Sequence, residues 1–499
     1  MSGDMRYPAL LAMAEQFRLK NNMKESIRCL HAVFSLNPSP DIEARTHLQL
    51  GNMLRLYSNN LDLAKHHLEQ SWYQGQNVQP DQIMLEAASV LAKMYEKEGN
   101  TGNCKQILDR ALQLSSNNPH WNSRLLFQAA QLHISLKDYL PAYTYLQAGI
   151  DYCGMNSRYT RCLFILSKTM LFLSHKKFNE ANPLLQMVSP EIENWVASAT
   201  HQDQSLVLAQ KEYLQIFYLV LQVCYYLMVG QVKSSKMILK QLQGSILTVT
   251  SPDFHKEANF AKDVPEDQFM WLSHDQLCIL VYLITVMHSM QGGNMDKAEK
   301  YTEKAIQQIQ KQQGTQENSL ISFFHVMLVE HIIQCRIVQG KKEQGIRDIG
   351  VLCTLLEKNP LLLQNHRSQL HTLIGLYAMS QNCLNEAETQ FNAALRTTRE
   401  TELWTFANLN LAIVYLRSNR LQEFQEILPR ISPDNLPSSS HCLKAAAYFV
   451  HGMNAYYTNN VSEAKRCLRE TLKMSTAEDL NRLLATSLAL LGHVFLSQG

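Results

Sequence analysis

One stretch constrains the fold more than any other. Beginning at His366 it runs HRSQLHTLIGLYAMSQNCLNEAETQFNAALRTTRE, with Gly375, Ala387, Phe391 and Ala394 in the order small, small, aromatic, small. Two helices that meet at Gly375 and Ala387 can cross closely, because neither position carries a bulky side chain. Phe391 lies one turn beyond Ala387 on the same helical face, where its ring fills the space beside the crossing. Asn382 falls between the two helices, at a position that tolerates a left-handed backbone.

The same spacing recurs along the chain. Ala14 precedes Ser26 by twelve residues and Ala92 precedes Cys104 by twelve, while Gly51 and Ala64 are thirteen apart. Ala130 and Ala142 repeat it, a looser unit covers Tyr159–Val188 with Ala181 in its second helix, and further units centre on Gly230, Gly293, Gly340, Ala412 and Gly452. Phe424 stands where the others carry Ala. One such unit cannot bury its own apolar face, so a run of them must stack. The recurrence predicts an all-α, right-handed tetratricopeptide-repeat superhelix of about ten helix pairs. Three divisions are expected: an N-terminal array over residues 1–188, a central unit with irregular insertions over 189–275, and a C-terminal array over 276–499. Breaks, as loops or short extra helices, are expected over 189–210, 244–275 and 432–440, where Pro and polar residues gather. Leu491, Gly492 and Phe495 begin another unit, so the chain is expected to stop within a repeat.

Composition agrees with helices and excludes several functions. Gly and Pro number only 19 and 14 in 499 residues, and Lys plus Arg, 46, nearly balance Asp plus Glu, 44. No basic tail or face announces a nucleic-acid site. The 11 Cys have no C-x-x-C spacing and read as reduced thiols packed in helices. Ile216–Val229 and Leu277–Met287 are the most apolar runs, and both fall short of the roughly 18 residues that span a bilayer. Phosphate-loop, dinucleotide, nucleophile-elbow and H-E-x-x-H patterns are all missing. Gly340-Lys341-Lys342 reads as an inter-helix turn with solvated lysines. His66 and His67 diverge on a helix and cannot chelate one metal together. Asn460-Val461-Ser462 reads as a helix start in which Ser462 caps and Glu463 enters the first turn. The expectation is a non-enzymatic protein without cofactor or metal.

Binding is then expected on the faces of the first helices of the pairs, which line the inside of such an array. In the early units these positions are polar: Arg45, Asn52 and Arg55, then Glu86, Lys93 and Glu96. In the middle they are apolar: Phe217, Val220, Cys224 and Leu227, then Leu280, Leu283, Met287 and Met290. The apolar set is open to two readings. It packs within a tightly wound array, or it forms an adaptable, Met-rich channel for an extended or helical partner segment. A chaperone adaptor would hold a terminal carboxylate with a set of Lys, Arg and Asn. Here only Asn52 and Arg124 fit those slots, beside Leu48, Val90 and Gln128.

Several segments carry a more specific likeness: IEARTHLQLG from Ile42, SRLLFQAAQLH from Ser123, LVYLITVMHSMQGG from Leu280, HCLKAAAYFVHG from His441 and AKRCLRETLKMSTAEDLNRLLATSLALLGHVF from Ala464. Together, from about Tyr7 to the end, the chain resembles the chromatid cohesion factors of the MAU-2 type, the tetratricopeptide subunit of the cohesin-loading complex. The resemblance implies a heterodimer in which the array wraps the N-terminal segment of the large Nipped-B/NIPBL adherin. It implies promotion of cohesin loading on chromatin for sister-chromatid cohesion, indirect contact with cohesin and chromatin, a nuclear location, and no membrane. A role in axon guidance is also associated with the family. The alternatives are a scaffold of another large assembly, such as the anaphase-promoting complex, and the chaperone adaptor.

Overall fold

The computed structural model describes every residue except 1–5, 59, 76–81, 155–156, 195–200, 250–271, 313–318 and 498–499. Among the described residues the chain is all-α, without strands, and divides into two compact units, residues 1–175 and 176–499. The first unit holds four tetratricopeptide-like pairs: α1 (Arg6–Leu19) with α2 (Met23–Phe34), α3 (Pro40–Tyr57) with α4 (Leu61–Gly75), α5 (Gln82–Lys97) with α6 (Thr101–Leu114), and α7 (Pro119–Ser135) with α8 (Tyr139–Cys153). A ninth helix, α9 (Arg158–Ser174), packs on α8. The second unit begins with α10 (Phe178–Glu193). Four pairs follow: α11 (His201–Val229) with α12 (Val232–Val249), α13 (His274–Gln291) with α14 (Met295–Gln312), α15 (Ser319–Val338) with α16 (Lys342–Glu357), and α17 (Pro360–Ser380) with α18 (Leu384–Thr397). Then come α19 (Thr401–Arg417) with the short α20 (Leu421–Ile427), α21 (His441–Tyr457) with α22 (Val461–Ala477), and α23 (Asn481–Leu496).

The crossing residues behave as their size requires. A Cβ added at Gly375 would meet Phe391 Cε1 at 2.8 Å, and one at Gly51 would meet Leu68 Cγ at 2.7 Å. Ala387, Phe391 and Ala394 are each 0% exposed. Where the second helix carries a polar atom at the crossing, it donates to the facing backbone. Ser26 Oγ donates to the Ala14 carbonyl at 2.7 Å, and Cys104 Sγ to the Ala92 carbonyl at 3.2 Å. Phe424 occupies the small-residue slot of its pair and is fully buried, with Ile427 and Ile431 beside it.

The turn within a pair is closed by one left-handed residue. Asn382 has φ 64°, and Asn419, Asn459 and Lys137 adopt similar values. Gly99, Gly230, Gly293 and Gly340 hold the same place in their pairs. The next residue then donates back to the first helix, as Cys383 N–H does to the Ala378 carbonyl at 3.0 Å and Asn460 N–H to the Ala455 carbonyl at 2.8 Å. This wrap satisfies carbonyls that the helix end leaves open.

Several expectations need correction. Asn460, not Ser462, caps α22: its Oδ1 accepts from Glu463 N–H at 3.3 Å. With Asn459 left-handed, Asn460 takes the last non-helical position, and Ser462 is already inside the helix. The break expected over 189–210 is shorter, because α10 continues through Pro190 to Glu193 and α11 starts at His201. Buried Ala181, Leu185, Val188 and Ile192 form a stripe along α10 that outweighs its prolines. Likewise α12 runs through Gly244 to Val249, while 250–271 lie outside the described residues. Lys341 is not merely solvated: its Nζ lies 2.8 Å from Glu299 Oε2. By length and composition Gln210–Val229 and Ser319–Val338 could each cross a bilayer, but about half of each is buried inside the protein, as in core helices of an array.

The second unit also closes on itself. Lys176 pairs with Glu402 at the start of α19. Cys442 Sγ, on α21, reaches the Gly230 carbonyl at 3.5 Å across 212 residues. Asn481 Nδ2, on α23, donates to the Gly292 carbonyl at 3.1 Å across 189 residues. The turns at Lys176, Gly230 and Gly292 follow α9, α11 and α13, so each meets the helix ten places further along. The constant step means that successive windings of this unit lie against each other.

Candidate partner-binding faces

In the first unit the expected polar positions do converge. Asn52 Nδ2 on α3 donates to Glu86 Oε1 on α5 at 3.5 Å, and Gln128 Nε2 on α7 donates to the Ser89 carbonyl on α5 at 3.3 Å. The three first helices therefore share one face. Arg55, Lys93 and Arg124 stand on it, one from each helix. Lys93 is exposed, and its pKa is lowered first by partial desolvation and then by the like charges of Arg124 and Arg55. Lys97 adds to that effect and Glu96 opposes it. Among the described residues, Asn52 Oδ1, Arg55 Nε and Gln128 Oε1 are buried atoms without a hydrogen-bond partner, so each keeps unused bonding capacity. Arg45 is exposed, 3.5 Å from Asp41 of its own helix. A cleft of about 430 Å³ opens beside this face, lined by apolar residues such as Leu11, Met53 and Leu56 together with Asn52, Glu15 and Arg18.

The apolar positions of the second unit divide. Phe217, Val220, Leu227 and Leu283 are buried, at 1–4% exposure. Cys224 is half-buried, and burial pushes its thiol up to about 12. Leu280, Met287 and Met290 are also half-buried and lie against the core shared by α13 to α17. The stripe thus presents Cys224, Leu280, Met287 and Met290 at its margin and keeps the rest for packing.

A histidine pair lay beyond sequence reasoning. His47 Nδ1 and His67 Nδ1 are 2.9 Å apart in the first unit, with Phe34 parallel to the His67 ring and tilted against the His47 ring. Burial, followed by neighbouring histidines, lowers each pKa to about 4. The two residues are twenty apart on different helices, so no local spacing signals them. No group of three His, Cys, Asp or Glu among the described residues is arranged to hold a metal. In the second unit His366 Nδ1 instead contacts buried Glu330 Oε1 at 2.8 Å.

A family model described as cohesin loading factor matches residues 6–499. The MAU2 chromatid cohesion factor homolog of Aedes aegypti is 44% identical over all of this chain and 80% of its own length. That of Drosophila melanogaster is 44% identical over all of this chain and 78% of its own length. Among solved structures, the human IFIT1 dimer with m7Gppp-AAAA aligns with 87% of this chain and 91% of its own, at 15% identity and a TM-score of 0.43.

Proposed function

The chain belongs to the cohesin loading factor family, and from that membership we propose that it is the helical-repeat subunit that grips the N-terminal segment of a Nipped-B/NIPBL-type loader. Its role is in cohesin loading and chromatid cohesion, hence at chromatin in the nucleus. The array acts as a scaffold and performs no chemistry of its own. A segment that is disordered when free orders along the first helices of the pairs, and buried contact offsets the entropy lost. The observation that carries this reading is the family match across residues 6–499, which takes in every described helix. The array supplies a physical route. Its first unit holds buried polar atoms without partners among the described residues, and its second offers Cys224, Leu280, Met287 and Met290 at the edge of a packed core.

Co-expression with the N-terminal segment of the loader, followed by size-exclusion chromatography, tests the proposal. A stable one-to-one complex that survives high salt supports it. A folded array that elutes alone at every salt concentration rejects the partner.

A further inference from the structure

The face shared by α3, α5 and α7 has a charge pattern that specifies its occupant. Arg55, Lys93 and Arg124 project from three successive first helices, and Lys97 lies within electrostatic range of Lys93. Acids stand nearby as well: Glu96 acts on Lys93, Glu86 accepts from Asn52, and Glu15 on the adjoining cleft pairs with Arg18. Like charges held this close repel one another, and an acid placed among them removes that cost. Among the described residues Arg55 Nε and Asn52 Oδ1 are buried with no hydrogen-bond partner. Asn52 also lines the adjoining cleft with Met53 and Leu56, so the charged row and the apolar side of a mixed recess meet at one side chain.

We propose that this face binds an acidic stretch of polypeptide, its carboxylates on Arg55, Lys93 and Arg124 and a neighbouring apolar side chain seated in the cleft beside Met53 and Leu56. The spacing favours a chain of side chains over a single terminal carboxylate, because the cations come from three helices and the recess lies to one side. This deepens the proposed function, since it rests on an array that grips an extended segment and says what chemistry that segment brings to the first unit.

The test uses the full chain and fluorescence anisotropy. The probes are labelled peptides with one leucine followed by a run of glutamates, glutamines or lysines, and a single-stranded oligonucleotide. The glutamate peptide is expected to bind at least about tenfold more tightly than the glutamine one at low salt, with the difference shrinking as salt rises. Lys93→Glu should remove most of that preference and Lys93→Arg should keep it. Both residues sit at an exposed position, so circular dichroism should not change. Replacing the peptide's leucine by alanine should weaken binding several-fold. Equal binding of glutamate and glutamine peptides, an unaffected Lys93→Glu variant, or tighter binding of the oligonucleotide would each overturn the assignment. The two proposals fail separately. A loader segment that binds Lys93→Glu as well as the parent leaves the partner and removes this site. Binding of the acidic peptide without any loader complex leaves the site and removes the partner.

Discussion

The two units share one repeat and use it differently. In the first, the main helix contacts among the described residues join near neighbours along the chain, and the shared face is polar. In the second, turns meet helices ten places further on and the corresponding stripe is largely buried. A stack with neighbour contacts alone behaves as a one-dimensional array, in which damage stays local. Contacts between windings tie distant repeats together. The first unit therefore keeps polar side chains on this face, and the second buries more of its equivalent face.

The sharpest test places one substitution in both units. Ala387→Leu and Ala64→Leu each force a large side chain into a crossing where the alanine is 0% exposed. Each should cost about 1–3 kcal/mol by overpacking. Hydrogen exchange should separate them: Ala387→Leu should speed exchange together in α11, α13 and α21, and Ala64→Leu only in α3 to α5. Equal, local acceleration in both variants would remove the distinction between the units.

The histidines give a second contrast, in pH. His47 and His67 have pKa values lowered to about 4, so the folded first unit favours their neutral forms. Their contribution is complete above an unfolded pKa of about 6.5 and is lost as pH falls from there toward 4. The loss should be on the order of 2 kcal/mol by pH 5. His31, His66 and Glu43 surround the pair, and the two neighbouring histidines add to the lowering. His366 behaves oppositely. Burial lowers its pKa, but the Glu330 carboxylate outweighs burial and the net shift is upward. Its contribution is complete below about 6.5 and fades as pH rises through the raised value. Acidification to pH 5 should therefore loosen the first unit before the second, read by exchange in α3 and α4 against α15 and α17. A His47→Gln, His67→Gln double variant should abolish the acid sensitivity.

A smaller effect probes the closure itself. Asn481→Ala deletes the bond to the Gly292 carbonyl and should cost about 1 kcal/mol. Gly230→Ala adds left-handed strain at φ 83° and crowds Cys442, whose N lies 3.0 Å from the added Cβ; its cost should be about 1–2 kcal/mol. If neither variant changes the denaturation midpoint, the windings do not support each other.

Much of this was legible in the sequence, because crossings and turns are local. Gly375, Ala387 and Phe391 declare a close approach by size alone, and Asn382 marks its turn. The cap expected at Ser462 falls two residues earlier, at Asn460, since the left-handed residue before the cap fixes which side chain faces the open N–H groups. Pro190 and Gly244 were read as breakers, but packing stripes carried α10 and α12 past them. The closure and the His47–His67 pair were invisible, because both depend on how helices are placed in space. For the same reason the apolar stripe could not be divided into buried and marginal residues until the helices around it were in place.

The smallest expected effect bears most directly on the contrast in use. Lys93 has its pKa lowered first by partial desolvation and then by the like charges of Arg124 and Arg55. If the first unit keeps that repulsion for a partner, neutralising the lysine should stabilise the free protein. Lys93→Gln should gain a few tenths of a kcal/mol at low ionic strength, and the gain should vanish at high salt, where exposed charges are screened. The same variant should bind the acidic peptide less well. A residue that serves only the fold would give the opposite result, a loss of stability on removal. Stability that rises while acid binding falls is what a functional site produces when its charges are held for something outside the chain.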